Sequence, residues 1–539
     1  MKKIYSFSLT ILLLNILTSC ATNKVRPYNT KETNKTEIIQ LADGMIRGVY
    51  NADKSVELYA GIPFAAPPTG DFRWKEPQPV KKWDGILECD HFAPMAMQNQ
   101  SGPIFTMLYN GYTHRSSRTD NGPKSEDCLY LNIWRPSDIK EGEKLPVLVY
   151  IHGGSLTSGQ SWYESYDGEN LAKENIIFVS IAYRVGVFGY FASEELASES
   201  PNHTTGNYGL LDQIAALKWV NDNISKFGGD AANITIAGES AGSSSVNALC
   251  CSPLSKGLFR RAIAESSSLV VPVPSHTFRT RENALKMGKD ILAEFKCTSV
   301  NELRKVPAEK LVKTKFANNS MTVDEYSMPE FPWKLYEKGL NHEEALLNGF
   351  NADEANAFTF FQKVNLSNYE TFWLERSPYI PDAHALALYG NPKTNKEAKR
   401  FYTDVFSVIC FTYPHKSWSK VVSDQGKPVY LYYFEKENGQ IGTNHSGEMV
   451  YAYKNVPRNR YYNDSDFYLE NIMSSYWLNF IKYGNPNGEN LPEWKTFSES
   501  NGQLIRFGNE VKMDEDPFNP FYNFIDFNIA EEKRPESYK

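Results

Sequence analysis

The stretch ITIAGESAG, Ile234 to Gly242, decides the fold. Its first half is a short run of apolar and β-branched residues, as in a buried strand, and SAGSSSVNALC after it reads as a helix. Ser240 therefore falls at a strand-to-helix turn, with Gly238 and Gly242 two residues to either side. A turn that sharp forces the serine into a strained backbone conformation, and only small neighbours let strand and helix approach so closely. In return the hydroxyl stands exposed above the sheet at a helix N-terminus, where the dipole favours developing negative charge. Ser240 is the candidate nucleophile.

Working outward, LPVLVYIH and NIIFVSIAY are continuous apolar runs rich in Val and Ile, the pattern of strands covered on both faces. GLLDQIAALKWVNDNISKF has apolar residues at helical spacing, and Gly228-Gly229 just past its end stops it. Further strands are expected at EALLNGF, KPVYLYYFE and QLIRF. Alternation of this kind means an α/β fold, a sheet with helices on both faces. No linker interrupts it, so a single domain over residues 37–530 is expected, with a polar tail at 531–539.

A neutral serine needs a base, and the base needs an orienting acid. On an α/β sheet with this turn the chain order is serine, acid, histidine. EALLNGFNADEANAF supplies Asp353 and Glu354 just past a strand, and order alone does not separate them. Three histidines follow: His384, on an expected helix after Pro381-Asp382; His415, behind a proline; and His445, in the glycine-bearing loop NGQIGTNHSGEM. A mobile, exposed base belongs in such a loop, which favours His445. A second glycine run, YIHGGSLTSG from Tyr150 to Gly159, ends another strand. Without side chains its backbone N–H groups can come close to a negative charge.

The N-terminus reads as a targeting segment. Lys2 and Lys3 precede an apolar stretch from Ile4 to Leu17 and small residues before Cys20, a secretory signal rather than a membrane span. Leu17-Thr18-Ser19-Cys20 further resembles the bacterial lipoprotein cleavage box, so residues 1–19 are expected to be removed. Cys20 would carry the lipid, and residues 20–36 would form a tether in the bacterial cell envelope. The net charge of −7 argues against nucleic-acid partners. Cys89, Cys128, Cys250, Cys251, Cys297 and Cys410 show no zinc spacing.

GIPFAAPPTGDFRW, SEDCLYLNIW, YRVGVFGYF, GNYGLLDQIAALKWVNDNISKFGGD, GESAG, SPLSKGLFRRAI and NFIKYGNPNG together resemble the type B carboxylesterase/cholinesterase family, in family order over roughly residues 40 to 510. The resemblance implies an α/β-hydrolase fold: a mostly parallel sheet with large loop and helix insertions around an active-site gorge. It also implies Ser240 as nucleophile, Glu354 as acid and His445 as base, without cofactor or metal. The oxyanion hole it implies is made by the N–H groups of Gly154, Ser155 and Ala241, with Gly153 making the turn. Ser155 departs from the glycine or alanine usual there, which bears on acyl preference. Glu239, Ser266 and Glu448 are implied as supporting residues. The cysteine that usually pairs with Cys128 is missing from APMAMQ, so Cys128 is either free or joined to Cys89, and Cys297 lacks a partner near Glu302.

The expected function is carboxylic ester hydrolysis through an acyl-enzyme, on a small-molecule or glycan-linked ester. Polysaccharide acyl (acetyl or feruloyl) esterase, lipase and amidase are the alternatives within the class. A catalytically inactive binding protein of the same fold is the alternative outside it. Membrane contact is expected through the lipid anchor only. The segment Ser101 to Lys124 is expected to border the gorge.

Overall fold

The computed structural model describes residues 34–99, 122–271, 278–316, 319–360, 362–369, 392–437, 443–519 and 521–522. Cys20 with most of the expected tether, nearly all of Ser101–Lys124, His384 and the C-terminal tail lie outside the described residues. The strand Lys35–Gln40 starts within the end of the stretch read as tether.

One sheet of 13 strands forms the centre. Its spatial order is Lys35–Gln40, Met45–Tyr50, Val56–Pro63, Tyr130–Pro136, Ile177–Ile181, Leu145–Ile151, Gly229–Glu239, Arg261–Glu265, Ala345–Asn351, Val429–Phe434, Leu504–Phe507 and Val511–Asp514. Ile86–Glu88 pairs with Met45–Tyr50 off this path. From Ile177–Ile181 to Leu504–Phe507 every neighbouring pair is parallel. Along this order the two margins are antiparallel, while Ile86–Glu88 joins its margin in parallel. All six strands expected from the apolar runs lie in the parallel part. Arg261–Glu265 was not anticipated as a strand, because RAIAE is short and charged at both ends.

The continuous apolar runs follow from burial on both faces. Val147, Val149 and Ile151 enter the core on one side of the sheet, while Leu148 and Tyr150 enter the core on the other. The helices Tyr208–Asn223 and Ala241–Cys251 cover the first side, and Asp464–Tyr483 covers the second. The first of these runs into a 3-10 turn, Ile224–Phe227, which Gly228 ends at φ 82°. Ala241–Cys251 is buried along its whole length. Its serine side chains are therefore bonded internally, Ser243 to the Ser267 carbonyl at 2.5 Å, Ser244 to the Ser267 hydroxyl at 2.7 Å and Ser245 to the Ala241 carbonyl at 3.0 Å.

Among the described cysteines Cys89, Cys128, Cys250, Cys251 and Cys297 are free, so Cys89 and Cys128 are separate thiols. No helix among the described residues is long and apolar enough to cross a membrane.

Candidate active site

Ser240 sits between the end of the strand Gly229–Glu239 and the start of the helix Ala241–Cys251, at φ 56° and ψ −126°. A side chain in that region is strained and persists only when its surroundings hold it. Here the Ser240 N–H donates to the Glu265 carbonyl at 2.8 Å and the Ser240 carbonyl accepts from Ser244 N at 3.0 Å. The flanking glycines are required by contact. A Cβ on Gly238 would stand 2.5 Å from the Gly242 carbonyl carbon, and one on Gly242 would run into the Ile151 carbonyl.

The second glycine run lies against this turn. A Cβ on Gly153 would come within 2.5 Å of the Glu239 carbonyl and 3.0 Å of Ser240 Cβ. Beyond it the chain turns through Gly154 at φ 104°, Ser155 at φ 55° and Leu156 at φ 57°. The Gly154 carbonyl is held by the N–H groups of Thr157 and Ser158, each at 3.0 Å. Among the described residues no acceptor meets the N–H of Gly154, Ser155 or Ala241. His152 secures the start of the loop. Its ring stacks on Tyr183 at 4.3 Å, burial pushes its pKa down to about 4, and Nδ1 donates to the Gly153 carbonyl at 2.9 Å.

Asp353 and Glu354 follow the strand Ala345–Asn351, and the structure separates what the chain order could not. Glu354 is fully buried and accepts from His445 Nδ1 at 2.6 Å. Since the carboxylate oxygen accepts, Nδ1 carries the proton, and in the neutral ring Nε2 is the nitrogen with a free lone pair. The other Glu354 oxygen accepts from the Asn351 N–H at 2.8 Å. Asp353 instead accepts from the Thr443 N–H at 3.0 Å and pairs with Arg400 at 3.0 Å. His415 is buried away from this group, its Nδ1 3.0 Å from Asn348 Oδ1, and burial pushes its pKa down to about 3.

His445 Nε2 makes no hydrogen bond among the described residues, so the Ser240–His445 bond is not formed here. Nε2 lies 3.2 Å from an oxygen of Glu239, the residue directly before Ser240. Ser446 donates to that same Glu239 oxygen at 2.5 Å. Ser266 and Glu448 are bonded to each other at 3.1 Å, and Asn351 ties Glu448 and the Asn444 carbonyl to the acid strand. Burial disfavours an imidazolium at His445, but Glu239 and Glu354, with Glu448, outweigh it and raise the pKa to about 9. Burial, reinforced by Glu354 and Glu239, pushes Glu448 up to about 7.

Two aromatic rings missed in the sequence complete the surroundings. Phe358 meets the His445 ring edge-on at 5.1 Å, and Phe411 packs on it, also at 5.1 Å. Phe411 lies on a π-helical turn, Val408–Thr412, a feature frequent at functional sites. Nothing in VICFT distinguishes that turn from ordinary helix. Among the described residues no group of His, Cys, Asp or Glu is arranged to hold a metal ion.

The model of the Carboxylesterase family matches residues 35–525. A fumonisin B1 esterase of Sphingopyxis macrogoltabida is 32% identical over 488 residues, covering 88% of this chain and 86% of that protein. Carboxylesterase 1D of Rattus norvegicus is 30% identical over 520 residues, covering 87% and 89%. Liver carboxylesterase 1 of Oryctolagus cuniculus is 32% identical over 509 residues, covering 83% and 85%.

Proposed function

The chain belongs to the carboxylesterase family and is an ester hydrolase, and from that premise we propose that it works through Ser240, His445 and Glu354 by way of an acyl-enzyme. The observation that supports this most is the Glu354–His445 bond of 2.6 Å, formed beside the Ser240 turn.

His445 Nε2 takes the Ser240 proton as Oγ attacks the ester carbonyl. Ser240 meets Nε2 by rotating its side chain once a substrate excludes water, as catalytic hydrogen bonds often tighten only in the complex. The N–H groups of Gly154, Ser155 and Ala241 receive the oxyanion, and each such donor is worth about 10²–10³ in turnover. The imidazolium then gives its proton to the leaving alkoxide, and the alcohol departs. A water, deprotonated by His445, attacks the acyl-enzyme in the same way, returning Ser240 and releasing the acid. Glu354 keeps the proton on Nδ1 and stabilises the imidazolium throughout.

Replacing Ser240 by alanine tests the assignment. Hydrolysis of a p-nitrophenyl ester should fall on the order of 10⁴–10⁶-fold with the fold intact, and fluorophosphonate labelling should disappear. Near-wild-type turnover in Ser240→Ala would place the nucleophile elsewhere. Acyl preference is then read from acetyl, butyryl, long-chain and hydroxycinnamoyl esters and a sugar acetate. Fumonisin B1 joins that panel because of the relative named for it.

A further inference from the structure

Two adjacent carboxylates leave the strand Ala345–Asn351 and grip different parts of one loop. Glu354 holds the His445 ring. Asp353 holds the backbone just ahead of it through two bonds, and a third, to Arg400, braces Asp353 itself. Its own N–H donates to the Thr443 carbonyl at 3.0 Å, its Oδ2 accepts from the Thr443 N–H at 3.0 Å, and its Oδ1 pairs with Arg400 at 3.0 Å. The two segments thus make one parallel bridge, Asp353 against Asn444. Arg400 is itself held from a second side by Asp404 at 2.7 Å. It belongs to the helix Asn395–Ser407, which runs directly into the π-turn carrying Phe411 onto the His445 ring.

We infer that Asp353, braced by Arg400, is a positioning residue for His445, fixing where the loop backbone stands so that Nε2 can meet Ser240. The inference rests on His445 being the base. Asp353 touches no reacting atom. Its effect is carried by the Thr443 N–H, two residues from the imidazole. Displacing a catalytic group by about 1 Å costs up to about 10²-fold in rate, so a single backbone bond this close has leverage on turnover. The charge on Asp353 matters less than its oxygen, because the oxygen is what Thr443 meets. Arg400 keeps that carboxylate from turning away.

The experiment compares Asp353→Ala, Asp353→Asn and Arg400→Met on a p-nitrophenyl ester, with His445→Ala measured beside them. Asp353→Ala should lower kcat by about 10–100-fold, and the fluorophosphonate labelling rate per folded molecule by the same factor. KM should stay within about two-fold, since no binding contact is removed. Asp353→Asn still offers Thr443 an oxygen and should recover kcat to within about five-fold of the parent, a rescue that loss of charge alone would not give. Arg400→Met should lower kcat by several-fold at unchanged KM.

The inference is overturned by wild-type labelling and kcat in folded Asp353→Ala, or by Asp353→Asn being as impaired as the alanine variant. Where Asp353→Ala does not fold, wild-type kcat in Arg400→Met overturns it. Activity surviving in His445→Ala would instead remove the base assignment itself. An inactive His445→Ala beside unaffected Asp353 and Arg400 variants leaves that assignment standing and removes only the inference.

Discussion

The proposed mechanism asks His445 to be a neutral base while it faces carboxylates. Burial lowers its pKa, but Glu239 and Glu354 outweigh that and raise it to about 9, so the imidazolium is favoured below that range and only the neutral fraction takes the Ser240 proton. Activity should therefore increase as pH rises, with the lower limb of kcat/KM displaced above the ordinary 6.5 of histidine toward 9. Glu239 stands 3.2 Å from Nε2, so Glu239→Gln should move that limb to lower pH by about one unit or more. A pH–rate profile from 5.5 to 10, at saturating and at low substrate (buffer range chosen to bracket both values), reads it. An unmoved limb would show that the Glu239 charge does not reach the imidazole. The same scale shows where sequence reading stopped. Asp353 and Glu354 are chemically near-identical neighbours, and their separate contacts depend on how each side chain leaves the strand end. Chain order cannot carry that information. The family resemblance pointed to Glu354, and the structure puts Glu354, not Asp353, on Nδ1. Ser155 was legible as a departure, and the structure adds that it is exposed at φ 55°, with its N–H unengaged among the described residues.

At the scale of elements, the Ser240 turn is where one strand, one helix and one loop must nearly touch. The Ile151 carbonyl belongs to the strand Leu145–Ile151, locked between two parallel neighbours, so it cannot retreat from a methyl at position 242 without parting a strand pair. Gly242→Ala should therefore cost about 1–3 kcal/mol of stability as an overpacked core site. The displaced helix start should also lower kcat by moving the Ala241 N–H. Urea unfolding followed by fluorescence gives the first quantity and ester hydrolysis the second. A midpoint and a kcat both equal to the parent's would mean that the helix can shift freely. The central strands were readable because burial on both faces leaves runs such as VLVYI with no polar position. The π-turn Val408–Thr412 was not readable, because one extra residue per turn changes backbone hydrogen bonding without changing composition. The same holds for Phe358 and Phe411, which meet His445 only after long stretches of chain have folded.

Over the whole molecule, stability comes from burial rather than from cross-links. The sheet separates two large apolar clusters, one containing Val147, Ile236 and Leu249 and the other containing Tyr150, Trp477 and Phe507. Large domains bury a high fraction of their surface and can do without covalent staples. The family resemblance already implied no general dependence on disulfides, because the positions where it places partners for Cys128 and Cys297 hold other residues. The structure agrees: Cys89, Cys128, Cys250, Cys251 and Cys297 are free, and five of the six described cysteines are buried. Burial pushes Cys89 up to about 12 and raises Cys128, Cys250 and Cys251 as well, so these thiols are poor nucleophiles while the fold persists. Cys297 is the one among the six that is partly exposed. Two outcomes follow for the purified protein. The urea midpoint should be the same with and without reductant, since a native disulfide would contribute about 2–5 kcal/mol and its reduction would be plain. Alkylation under native conditions, mapped by mass spectrometry, should modify Cys297 before any other of the six, and the remaining five should react only on unfolding. A midpoint that drops in reductant, or early protection of Cys89 and Cys128 from alkylation that persists in urea, would mean that those two sulfurs are bonded to each other after all.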